Sequence, residues 1–77
     1  MRKVYLTLRC EFDPEGVVRP VEFLWEDGRR FPVDRVLDVR RAVSLKTGGR
    51  GIRYTVRVLD REVCLYRDGD RWYLEAP

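Results

Sequence analysis

Apolar and polar side chains alternate with period two along almost the whole chain, which predicts strand after strand and no convincing amphipathic helix. The first run puts Val4, Leu6, Leu8, Cys10 and Phe12 on one face and Tyr5, Thr7, Arg9 and Glu11 on the other. Asp13-Pro-Glu-Gly16 then supplies a turn, with proline pre-set for its second position and glycine closing it. A second strand over about residues 18–25 contains Pro20, which confines that position to a sheet edge or a bulge. Residues 30–45 read as one long strand. Val33 and Val36 fall out of phase, so a bulge or sharp bend is expected near Asp34 and Arg35, letting the strand serve both halves of a small barrel. A helix over 35–45 is the competing reading, because Val36, Val39 and Val43 also fit helical spacing. The β-branched content and the lack of caps favour the strand.

Turns fix how these strands face one another. Asp27-Gly28 joins two apolar runs, and a three-residue loop Glu26-Asp27-Gly28 with Gly28 left-handed would pair Phe23 with Phe31 and Val21 with Val33. A two-residue loop would scatter the same side chains over both faces, so the bulged register is preferred. The glycine-rich run Lys46-Thr-Gly-Gly-Arg-Gly51 reads as a hairpin loop that sets Leu45 opposite Ile52. It departs from a phosphate-binding loop because Lys46 and Thr47 precede the glycines and no helix follows. A turn at Asp60-Arg61 would set Val58 opposite Val63 and Val56 opposite Leu65. One at Asp68-Gly69 would set Leu65 opposite Trp72, Val63 opposite Leu74 and Arg67 opposite Asp70. Every register closes on one shared apolar face, and that agreement between independent turns carries the fold prediction.

The expected fold is all-β: a single domain spanning residues 1–77, an antiparallel meander of about six strands closing into an SH3-like barrel or a compact sandwich. The run Phe23-x-Trp25-x-x-Gly28-Arg29-x-Phe31-x-Val33-x-x-Val36-Leu37, with a late Arg71-Trp72-Tyr73, resembles short uncharacterised bacterial domains of unknown function that carry a W-x-x-G-R-x-[FY]-x-V-x-x-[VI]-L hairpin signature. The resemblance covers about half the chain through turn and core positions. It implies a fold and brings no active site.

Composition narrows the function classes. A charged fraction of 38% beside 44% hydrophobic residues describes a soluble globular chain. Met1-Arg-Lys leads straight into a strand, so no signal peptide is expected and the cytoplasm is the expected compartment, with no membrane association. Histidine is absent, which removes the commonest general base and metal ligand. Cys10 and Cys64 stand alone in separate strands, without zinc or redox spacing. Ser44 is the only serine and has no base beside it, and most carboxylates sit in turns. A chain of 77 residues also leaves little volume for a ligand cavity. The chain is therefore expected to be no enzyme and to need no cofactor or metal.

Charge is uneven. Residues 40–61 carry +6, leaving −3 for the rest of a chain that totals +3. The Leu45–Ile52 register places Arg40 opposite Arg57 and Ser44 opposite Arg53. Like charges facing each other are unfavourable by a few tenths of a kcal/mol or more. Arg40, Arg53 and Arg57, with Lys46 and Arg50 at the loop and Tyr66 and Tyr73 alongside, compose a basic face with aromatic interleaving. Guanidinium for phosphate and aromatic rings for bases is what nucleic acid requires. The prediction is a small nucleic-acid-binding barrel that contacts phosphates without sequence preference. The alternative is a non-enzymatic module that docks on a larger protein.

Overall fold

The computed structural model describes residues 2–43 and 50–77, and its regular structure is entirely antiparallel strand. Among the described residues, seven strands form one sheet: β1 (Arg2–Phe12), β2 (Val18–Leu24), β3 (Arg30–Pro32), β4 (Arg35–Val43), β5 (Arg50–Val58), β6 (Arg61–Asp68) and β7 (Arg71–Ala76). They lie in the order β3-β2-β1-β7-β6-β5-β4. Two meanders, β1–β3 and β4–β7, are thus joined through the pairing of β1 with β7. Among the described residues no helix is long and apolar enough to cross a membrane.

That order requires the sheet to curl. β3 and β4 occupy its two edges, which in a flat sheet would lie roughly 29 Å apart, at about 4.8 Å for each of six strand gaps. They are nevertheless neighbours in the chain. The Val33 N–H donates to the carbonyl of Val21 at 2.8 Å, and the very next N–H, from Asp34, donates to the carbonyl of Arg57 at 2.8 Å. One residue reaches only about 3.5 Å. The sheet therefore wraps into a half-barrel until its edges approach at this point. Residues 30–45 are consequently not one strand: the chain changes partners at Val33–Asp34, and a bulge skips Leu37 within β4. The long strand that serves both halves is β1, whose residues 2–6 pair with β7 and residues 7–12 with β2.

The organising hairpin has its expected register. Phe23 lies opposite Phe31, Gly28 has φ +92°, and the Gly28 N–H closes the turn on the Trp25 carbonyl at 2.9 Å. Pro20 sits buried beside the bulge between Arg9 and Cys10, a position where a sheet tolerates proline. A Cβ on Gly28 would meet nothing within 4 Å, so its requirement is conformational alone. Gly28→Val is expected to cost about 1–3 kcal/mol, whereas Gly28→Asn stays near the parent, because asparagine tolerates the left-handed region. Urea melts of the two variants check this, and equal midpoints would refute the bulged turn.

The two later turns sit elsewhere than expected. Val58 pairs with Arg61, so the turn is Leu59-Asp60, and both residues have positive φ, 50° and 60°. Asp68 pairs with Arg71, so the second turn is Gly69-Asp70, with Gly69 at φ 62° in the first central position. A hairpin turn needs left-handed backbone there, and glycine supplies it more readily than Asp68 would. Each register moves by two residues. Val56 faces Val63, Tyr54 faces Leu65, and Trp72 faces Arg67, not Leu65. A shift of two leaves every side chain on its expected face. The core is accordingly the expected apolar set: Val56 and Leu65 are fully enclosed, Phe23, Val58 and Trp72 nearly so, and the Tyr54 ring lies 4.9 Å from that of Trp72.

Candidate nucleic-acid interface

The convex face of β4 and β5 is built by period two around the Leu37 bulge. Arg40 lies opposite Arg53 and Arg35 opposite Arg57, with Asp38 opposite Thr55 between them. The expected Arg40–Arg57 pairing is therefore corrected to Arg40–Arg53, because the β4–β5 ladder runs four residues out of the predicted register. Like charges still face each other, and they do so twice. Lys46, Ser44 and Leu45 lie outside the described residues. Arg50 opens β5 opposite Val43, so the run through Gly51 that reads as loop in the sequence ends inside the strand.

Two carboxylates neighbour this cluster: Asp38, which forms an ion pair, and Glu62, which lies opposite Arg57 on β6. Arg40 Nε donates to Asp38 Oδ2 at 2.7 Å. That hydrogen bond, helped by the charges of Arg40 and Arg53, holds the Asp38 carboxyl below the ordinary aspartate range against an opposing desolvation. Arg35, Arg53 and Arg57 make no ion pair among the described residues. By contrast, Arg2, Arg9, Arg19, Arg29 and Arg30 all find carboxylates, at Glu26, Glu22, Glu11, Asp27 and Glu22 respectively. Arg53 and Arg57 are half-buried along the sheet surface, and Arg53 Nε is enclosed without a hydrogen-bond partner. Their aliphatic stems pack on the strands while the guanidinium groups stay on the convex side.

One row of side chains crosses five strands on this face. Tyr5 lies opposite Tyr73, Tyr73 opposite Tyr66, Tyr66 opposite Arg53, and Arg53 opposite Arg40. The sequence-predicted tyrosines therefore do join the arginines. Their ring faces, however, are already used. Tyr66 and Tyr73 stack on each other with centroids 5.1 Å apart and planes 11° from parallel, and they are only 8% and 0% exposed. Tyr5 leans on Tyr73 at 5.7 Å, and Lys3 Nζ sits 5.0 Å above the same ring. Burial and the nearby Glu75 carboxylate, to which the Tyr66 hydroxyl is hydrogen-bonded, push the Tyr66 phenol above its ordinary value. Neither Tyr66 nor Tyr73 offers a free platform to a base. The more open ring is Tyr5, at 43% exposure, and the Arg71 guanidinium lies 3.7 Å from its centroid.

Sequence reasoning missed Arg35, Asp38, Lys3, Tyr5 and Arg71 as members of this face. Arg35 was hidden by reading residues 30–45 as one strand. Lys3, Tyr5 and Arg71 join through β1–β7 pairing, which no local pattern announces.

No family model matches the chain, and no curated protein or solved structure matches it.

Proposed function

We propose that this chain is a non-enzymatic nucleic-acid-binding domain that contacts phosphates, without sequence preference, through the convex face of β4 and β5. The observation that supports it is the pair of arginine couples, Arg40 beside Arg53 and Arg35 beside Arg57, four arginines against Asp38 and the Glu62 opposite Arg57, with Asp38 alone in an ion pair to them among the described residues. Cross-strand like charges destabilise a free domain, and a phosphodiester lying between them turns repulsion into paired, charge-assisted hydrogen bonds. Guanidinium suits this role because its planar fork meets two phosphate oxygens at once and stays charged at every physiological pH. Arg53 and Arg57 are four residues apart on one strand, about 13 Å, so one backbone can engage both couples along its length.

With the tyrosine rings enclosed, affinity rests on phosphate and not on base stacking. Binding is expected to be weak, with Kd around 10⁻⁴–10⁻⁶ M at physiological salt, and to fall steeply as salt rises. Single strands gain no stacking advantage over duplex. Arg53→Glu combined with Arg57→Glu should abolish binding while leaving the melt close to the parent, since neither side chain enters the apolar core. Fluorescence anisotropy with labelled single-stranded and duplex oligonucleotides, from about 50 to about 200 mM salt, measures this. Undetectable binding at the lower salt, or binding unchanged in the double variant, would overturn the proposal.

A further inference from the structure

The concave side of the half-barrel holds a second site. Between the β2–β3 hairpin and the Leu59-Asp60 turn lies an open cleft of about 570 Å³. This volume falls within the usual range for ligand sites, contrary to the expectation that so short a chain leaves little volume for one. A curled sheet with an incompletely covered inner face creates space that a closed barrel of the same length would not. Phe23, Phe31, Val58 and Val63 line it together with half-buried Trp25 and the exposed Leu59. Among the described residues, the charged side chains lining it are Arg29 and Arg61. Arg29 Nε is bound to Asp27 at 2.7 Å and its guanidinium lies 5.4 Å from the Phe31 ring centroid, whereas Arg61 enters no ion pair among the described residues.

Leu59 is the independent observation. It is 67% exposed and holds φ at 50°, a left-handed backbone that is costly for leucine and nearly free for asparagine or glycine. A leucine here benefits neither the turn nor the core. Strained positions of this kind recur where a side chain is presented to a ligand. What the strained backbone achieves is to hold an exposed apolar side chain on the lining of an apolar cleft.

We infer that this cleft docks a segment of a partner protein in which a large apolar side chain is flanked by carboxylates. The apolar side chain enters between Trp25 and Leu59, and the carboxylates meet Arg61 and the terminal nitrogens of Arg29. Charge complementarity selects the flanks, since both charged side chains lining the cleft among the described residues are arginines. A protein segment suits the site because the cleft is open to solvent, and tryptophan, phenylalanine and arginine are the side chains that dominate protein interfaces.

The test uses three labelled, N-acetylated peptides in anisotropy titrations: alternating leucine and aspartate, alternating leucine and lysine, and alternating serine and aspartate. The leucine–aspartate peptide should bind at least about tenfold more tightly than either control. Leu59→Asn should weaken it several-fold while melting no lower than the parent, because asparagine relieves the turn. Arg61→Glu should weaken it by about tenfold or more. Oligonucleotide binding should be unchanged in Leu59→Asn, which separates this site from the convex face. No binding of the leucine–aspartate peptide up to about 1 mM, equal binding of the lysine peptide, or indifference to both substitutions would overturn the inference.

Discussion

Tyr73→Ala is expected to leave the domain largely unfolded at physiological temperature, not to spare the fold and weaken nucleic-acid binding alone. The reason is where the ring sits. Tyr73 lies on the convex face, yet it has no solvent exposure. Tyr66 stacks on it, Tyr5 leans against it, and Lys3 caps it. These partners come from β1 and β6, on either side of β7, so the ring ties the junction of the two meanders from outside, while Trp72 and Leu6 meet across the same junction inside. Truncating a buried aromatic to alanine costs about 3–5 kcal/mol. A domain of 77 residues is stable by only about 0.05–0.15 kcal/mol per residue, roughly 4–12 kcal/mol in all. Tyr73→Phe retains the ring and its stacking partners and should stay folded. Thermal and urea melts followed by far-UV circular dichroism distinguish the cases. A cooperative Tyr73→Ala transition within a few degrees of the parent would show that the ring is not structural.

That tyrosine also marks how far the sequence could be read. Alternation identified the convex face, and Arg40, Arg53, Arg57, Tyr66 and Tyr73 all point to it as expected. What covers the face was not legible, because Lys3 and Tyr5 reach Tyr73 only through a contact between the two ends of the chain. The same distinction governs the registers. Side-chain faces repeat every two residues, so face-matching rejects a slip of one and is blind to slips of two or four. Both misplaced turns and the β4–β5 ladder slipped by even numbers, and the faces survived each time. The bulged turn at Gly28 came out correctly because its rival differed by one residue. The break between β3 and β4 was visible as a phase change between Val33 and Val36. Its meaning, a change of partner from β2 to β5, depended on the curl of the whole sheet.

The cleft was illegible for a related reason. Phe23, Phe31, Val58 and Val63 were all legible as inward-facing, and inward-facing residues in a short chain are ordinarily taken as filling a core. Whether they fill it depends on how tightly the sheet closes. Leu59 carried a signal that was available but misread: placing the turn at Asp60-Arg61 made Leu59 a strand residue, so its exposure and its positive φ had no reason to be expected.

Gly51→Ala is expected to be among the most damaging single-methyl additions in the chain. In the sequence this glycine looks like the tail of a flexible loop, where alanine would be neutral or mildly stabilising. It lies instead within β5, opposite Ala42, with φ at +152°. An added Cβ would overlap the backbone carbonyl oxygen of Arg67 and lie 2.9 Å from its carbonyl carbon. Both obstructing atoms are main chain of β6, so no rotamer change clears them. The strands must separate, or Gly51 must change its backbone and take the start of β5 with it. Overpacking of this kind costs about 1–3 kcal/mol, and the positive φ adds to it. The loss should be largest for the β5–β6 ladder, which carries Arg53 opposite Tyr66 and thus the junction of the arginine and tyrosine halves of the convex face. Gly28→Ala is the matched control, since its Cβ meets nothing and only the left-handed strain remains. Urea midpoints for the pair, with amide hydrogen exchange reporting Arg53 and Tyr66, measure the difference. A Gly51→Ala protein as stable as Gly28→Ala, with unaltered protection along β5, would mean that β5 and β6 do not approach as closely as described.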